Sequence, residues 1–206
     1  MSYGTALELR ARIDKTGAAD DATLTAIIAA AERNINRACN RADGFEADVV
    51  ASARTYSGNG KPYLYVDECV EVTLVEVKDS ASDTDYDAWA GTDWIACSGD
   101  PRSPNFNRVP YDMLMVDPTG DESVFTKGVP TVRVTARWGY SVVAPADIKE
   151  ACLMQAARWF KRYQSAMADV LADGELGRLL YRQALDPDIR RILVDGRYVR
   201  PVVGRR

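Results

Sequence analysis

The chain contains no histidine at all. This absence removes the usual general base, the Ser-His-Asp and Cys-His arrangements, and nearly every common zinc ligand set. Cysteine is sparse: Cys39, Cys69, Cys97 and Cys152 lie far apart with no C-x-x-C pair, so neither a zinc site nor a redox dithiol is indicated. Cys152 reads as a small buried side chain. No apolar run approaches the ~20 residues that cross a bilayer. The opening MSYGTALELRARID alternates charges with apolar residues and builds no signal-peptide core. A cytoplasmic protein without membrane contact is therefore expected. Internal repeats and low-complexity segments are also missing.

Motifs that carry chemistry are equally scarce. Gly58-Asn59-Gly60-Lys61 lacks the G-x-x-x-x-G-K-[ST] spacing, and Pro62 stands where a phosphate loop needs a hydroxyl. It reads as a tight turn between two strands. The acidic run Asp79, Asp83, Asp85, Asp87 lacks the EF-hand pattern and its glycine, and reads as a solvated loop. Trp89, Trp94 and Trp138 could stack bases, but no basic residues interleave with Trp89 and Trp94, so sheet core is the expectation. No catalytic residue, metal ligand or cofactor is assigned.

What the chain does have is pattern. Its 206 residues are about one domain by the usual prior of ~100–200 residues. From Thr131 to Ser165 it reads as a strand, a turn and a strong helix. Val132, Val134, Ala136 and Trp138 alternate with Thr131, Arg133, Thr135 and Arg137, so one strand face is apolar and the other wet. Gly139 breaks the alternation and Pro145 suits the first turn of a helix. Asp147 near its start and Lys161 and Arg162 near its end complement the macrodipole. On the helical wheel Ile148, Cys152, Ala156, Trp159, Phe160 and Tyr163 share one face, opposite Glu150, Arg158, Lys161 and Arg162.

Upstream, Thr5-Ala6-Leu7-Glu8 fits a capping box that opens a helix to about Asp14. Asp20 is a good N-cap for a second helix ending near Cys39, with Leu24, Ile27, Ile28, Ala31, Ile35 and Ala38 at helical spacing. Between the helices the texture is β: Ala53–Ser57 and Pro62–Val66 as a hairpin, and Val70–Val77 with a phase slip at Leu74-Val75. A second hairpin joins Tyr86–Trp89 to Asp93–Ala96 about Ala90-Gly91, and Tyr111–Val116 follows. The stretch 98–110 is irregular, and 166–185 mixed. Asp186-Pro187-Asp188 restarts a short helix to Val194. The closing RYVRPVVGRR is basic and apolar, with no evident partner within the chain. Charge is uneven: residues 145–206 carry 12 basic and 8 acidic side chains, while 51–144 carry 8 and 14.

These segments, ALELRARI, DDATLTAIIAAAERNINRACNR, ARTYSGNGKPYLYVD, VRVTARWGY with APADIKEACLMQAARWFKRY, and LDPDIRRIL with its basic tail, together resemble the head–tail connector, or adaptor, family of long-tailed double-stranded DNA bacteriophages. The W-G-Y turn, P-x-D-I-K and the Ala-rich helix are the most specific part, and residues 80–128 match nothing distinctive. The resemblance implies a structural virion protein rather than an enzyme. Such a protein forms a homo-oligomeric ring, twelvefold in the virion, beneath the portal protein. It extends the DNA channel without sequence-specific binding, and offers a platform to stopper or tail proteins. Its place is the head–tail interface, after synthesis in the host cytoplasm.

An α+β fold is expected. A helical core takes 1–50 and 130–185, a β-rich subdomain 51–129 is inserted between the second and the long third helix, and an extended C-terminal arm takes 186–206. Ile28, Ile35, Trp138, Ile148, Cys152, Trp159 and Phe160 are the expected core. The matching C-terminal motif implies portal binding through Asp186, Ile189, Arg190, Arg191, Arg197, Tyr198, Arg200 and Val202, in a segment that orders on binding. The alternatives are a stopper or head-completion protein, a nucleic-acid-binding module using the basic C-terminal third, and a small hydrolase using Ser/Lys or paired carboxylates.

Overall fold

The structure, a computed structural model, describes residues 2–99, 106–164 and 185–200. Its fold is α+β: two N-terminal helices, a six-stranded antiparallel sheet, then two more helices. The chain divides into two compact units, Met1–Gly44 with Ala144–Arg206, and Phe45–Val143. The sheet unit thus claims residues 45–50 and 130–143, which were expected with the helices. For 130–138 the reason is strand pairing, since the backbone groups of this alternating segment are paired with Ser52–Gly58 on one edge and Tyr63–Val77 on the other.

In the sheet unit β1 (Ser52–Gly58), β2 (Tyr63–Val77), β4 (Trp94–Cys97), β5 (Tyr111–Val116) and β6 (Gly128–Trp138) lie in the order β1-β6-β2-β5-β4, and the short β3 (Asp87–Ala88) pairs with β2. Strand β6 carries the expected alternation from Val132 onward, with Val132, Val134, Ala136 and Trp138 all buried, but Thr131, expected on the wet face, is buried too, its hydroxyl accepting from Gly58 N at 3.0 Å. The hairpin of β1 on the next strand is not formed. Strand β6 lies between β1 and β2, so that its backbone N–H and C=O groups are paired along both edges. Residues 62–66 and 70–77 are one long strand, and its phase slip appears as a register shift against β6 between Val72 and Leu74. The second hairpin is also absent. Strand β3 pairs with β2 and β4 with β5, and Asp93 closes the intervening turn by accepting from the Ala90 N–H at 2.8 Å.

Trp89 stacks on Phe125 with centroids 5.0 Å apart, and the Trp138 indole N–H donates to the Ser52 carbonyl at 2.8 Å. Gly139, in the W-G-Y turn, sits at φ +141°, where a Cβ would lie 2.3 Å from the Ala47 Cα. Only glycine fits that turn.

In the other unit α1 (Ala6–Arg12) starts with the full capping box, the Thr5 hydroxyl accepting from Glu8 N and the Glu8 carboxylate accepting from Thr5 N. Helix α2 (Asp21–Ala38) buries Leu24, Ile28, Ala31 and Ile35. Asp20 precedes it but makes no side-chain cap bond and pairs with Lys15 instead. Helix α3 (Ala146–Gln164) buries Ile148, Ala151, Cys152, Leu153, Gln155, Ala156 and Phe160. Lys149 of α3 donates to Glu8 of α1, and Arg12 of α1 donates to Glu150 at 2.6 Å, tying the two helices at their polar edges. Helix α4 (Pro187–Asp195) starts as expected, with Asp186 as N-cap and proline in its first turn.

Two expectations about α3 fail. Trp159 is half-buried and Tyr163 is 57% exposed, so the buried stripe centres on Phe160 instead. Successive helical residues point ~100° apart, and two adjacent aromatics cannot both face the core centre. Arg158, expected on the wet face, is largely covered and pairs with Asp186. Of the stretch 166–185 expected to be mixed, residues 166–184 lie outside the described residues, as does the tail from Pro201.

Candidate interaction surfaces

The C-terminal residues singled out from the sequence belong to the helical unit rather than to a loose arm. Asp186 caps α4, accepting from Asp188 N at 2.9 Å and from the Arg158 guanidinium. Ile189 and Leu193 are fully buried, so Ile189 is held inside the unit. The Tyr198 hydroxyl donates to Asp147 at 3.1 Å, and its carbonyl accepts from Arg41 Nε at 3.0 Å. Arg200 N donates to the Cys39 carbonyl at 2.9 Å, and the Arg200 carbonyl accepts from Asn40 at 3.0 Å. The segment through Arg200 therefore has partners within the chain. Sequence periodicity could not show this, because the partners, namely the Cys39 carbonyl and the Asn40 and Arg41 side chains after α2 and the Asp147 and Arg158 side chains of α3, are distant in sequence. Arg190, Arg191 and Arg197 are exposed, beside Val194 at 56% exposure. Arg191 pairs with Asp195 at 3.2 Å across one helical turn. Val202 lies outside the described residues.

A second surface was not foreseen. Thr23, Ala26, Ile27 and Ala30 of α2 and Trp159, Arg162 and Tyr163 of α3 line an apolar groove of about 440 Å³. The small alanine side chains leave room that the half-exposed Trp159 and Tyr163 border. Exposed Arg33 and Arg37 continue the same side of α2. The acids of that helix are engaged elsewhere: Asp21 pairs with Arg10 at 3.2 Å, and Glu32 accepts from the Ser2 hydroxyl at 2.6 Å. The sequence signal for the groove was the Ala29-Ala30-Ala31 run, which signals close approach without saying by what.

The sheet unit concentrates negative charge. Residues 45–143 carry 16 acidic and 8 basic side chains, against 14 and 18 in the rest of the chain. Asp93 is buried, its Oδ1 accepting from Asp121 N at 3.2 Å. Burial, Asp93, Asp79 and Asp121 together push the Glu122 carboxyl above its usual range. Next to this cluster Val124 is 41% exposed. On the sheet face Glu76 is held below the usual range by its hydrogen bonds from Arg133.

No chemistry gathers around the thiols. All four cysteines are free and buried. Burial pushes Cys39 up to about 11 and Cys69 and Cys152 up to about 12, which keeps these thiols protonated. Among the described residues no group of three His, Cys, Asp or Glu side chains could hold a metal ion, and no helix is long and apolar enough to cross a membrane.

No protein-family model matches the sequence. No curated protein matches it either. Among solved structures it is similar to a chain from "Neck of empty GTA particle computed with C6 symmetry". The two are 18% identical, with a TM-score of 0.50 over 98% of this chain and 92% of that one. At that identity the likeness concerns the fold: nearly the whole architecture, both units included, has a counterpart there.

Proposed function

We propose that the protein is a structural component of the neck of a phage-like particle, and specifically a head–tail adaptor that forms a ring beneath the portal. The observation that carries this reading is the end-to-end likeness to a neck chain, which spans both units rather than one common module. A stopper or head-completion protein would also sit in a neck. The adaptor is favoured by the order of motifs along the chain, from the capping-box helix through W-G-Y and P-x-D-I-K to LDPDIRRIL. Ring formation follows the neck's sixfold symmetry, which a twelvefold ring also satisfies. The ring would lengthen the DNA channel and present a platform to stopper or tail proteins.

The portal-facing element in this reading is the exposed side of α4 and the turn after it. Arg190, Arg191 and Arg197 offer charge and Val194 an apolar contact. Asp186, Ile189, Tyr198 and Arg200 shape that face from within, and Val202 lies along the chain beyond it. The experiment is co-sedimentation with portal rings at modest salt, comparing the wild-type chain with Arg190→Glu/Arg191→Glu/Arg197→Glu. The wild type is expected to co-sediment, and the variant to bind at least about tenfold more weakly while keeping its circular dichroism. Equal binding by the two chains would remove the docking face. No binding by the wild type would remove the adaptor reading.

A further inference from the structure

We infer that the apolar groove between α2 and α3 receives the acidic 117–124 loop of a second copy of this chain. This rests on the ring reading and says which surfaces make the ring. A closed ring of identical subunits needs two different patches that fit each other, one on each flank of the protomer. The helical unit and the sheet unit each carry one exposed patch, and the two are of opposite character.

The first patch is the groove. Its floor and walls are Ala26, Ile27, Ala30 and Trp159, and its open end along α2 runs into Arg33 and Arg37. Among the described residues no carboxylate pairs with either arginine, and Asp21 and Glu32 of the same helix are turned to Arg10 and to Ser2. The patch is therefore apolar at its centre and positive at its edge.

The second patch is the end of the sheet unit where Asp79, Asp93, Asp121 and Glu122 crowd together, with exposed Val124 beside them. It is negative, with one apolar side chain presented to solvent. Within the chain this crowding is unfavourable, since like charges raise one another's ionisation cost. A positive surface from another copy would relieve it. Val124 in the groove and Asp121 and Glu122 against Arg33 and Arg37 match apolar to apolar and charge to opposite charge. Such pairing fixes register and orientation more than it adds affinity.

Two charge-reversal variants test this, all four positions being exposed, where substitutions rarely disturb folding. The groove variant is Arg33→Glu/Arg37→Glu, and the loop variant is Asp121→Lys/Glu122→Lys. Self-association of the full chain is followed by native mass spectrometry and sedimentation at rising concentration. Each variant alone should assemble at least about tenfold more weakly than the wild type. A one-to-one mixture should recover assembly, because every groove then meets a loop of opposite sign, and the recovered oligomers should contain the two variants in equal number. Wild-type-like assembly of either variant, or no recovery on mixing, would overturn the assignment while leaving the ring intact. If the groove variant keeps self-association but loses portal binding, the groove belongs to the portal and the assignment is equally overturned. A wild type that stays monomeric at every concentration, alone and with portal, would instead overturn the ring reading itself.

Discussion

Trp159 and Phe160 are sequence neighbours in opposite surroundings, and they give the cleanest test at the scale of single residues. Phe160 is 1% exposed, so Phe160→Ala should cost about 3–5 kcal/mol, measured by urea unfolding. Trp159 is half-buried at the groove, and Trp159→Ala should cost roughly 1–2 kcal/mol and weaken self-association instead. Equal losses of stability would mean that the buried stripe is wrongly placed. The wheel found the stripe but not its centre, since hydrophobicity treats both rings alike and only the partner helix chooses between them. Arg158 shows the same limit: its charge read as solvated because Asp186 is distant in sequence.

Glu76 adds a pH prediction. Arg133 holds its carboxyl below the unfolded value, so its contribution is present above that value and is lost as pH falls through the folded one. Stability should therefore decline as pH drops below about 4.3, the ordinary glutamate value, and Glu76→Gln should flatten that decline. An unchanged slope in the variant would show that the pair does not matter to acid stability.

At the scale of elements, the C-terminal helix departs most from what its sequence suggests. Its start was legible, since Asp186-Pro187-Asp188 is a local signal. Its docking was not, because Ile189, Ile192, Leu193 and Val194 are alike apolar in the sequence, and only the packing within the unit buries Ile189 and Leu193 and leaves Val194 exposed. As a built part of the helical unit, α4 should matter to the stability of that unit. Leu193→Ala should cost about 2–5 kcal/mol in thermal or urea unfolding, whereas Val194→Ala, largely exposed, should change stability by less than ~0.5 kcal/mol. No difference between them would restore the picture of an arm that orders only on binding. The strands carry a similar lesson. Strand β6 and the break in β2 were visible from alternation, but the partner of β1 was not. Alternation says which face is buried and nothing about which strand lies alongside. The long-range insertion of β6 between β1 and β2 pairs residues as far apart in sequence as Ser52 and Ala136, or Cys69 and Trp138.

At the scale of the whole molecule, the sequence carried the α+β architecture and the helical and sheet segments, with the first unit boundary displaced from 50 to Gly44 and the second from 130 to Ala144. It did not carry the groove or the acidic cluster. Each is assembled from residues on separate elements, and a surface built in that way leaves no periodic trace in the sequence. In the proposed function, copies of this chain close into a ring that seats on a portal. Electron microscopy of negatively stained protein, alone and mixed with portal rings, tests it most directly. Class averages should show closed rings with a central channel and sixfold or twelvefold rotational symmetry, coaxial with the portal in the mixture. Single particles of protomer size in both samples, with portal rings unaltered, would contradict it.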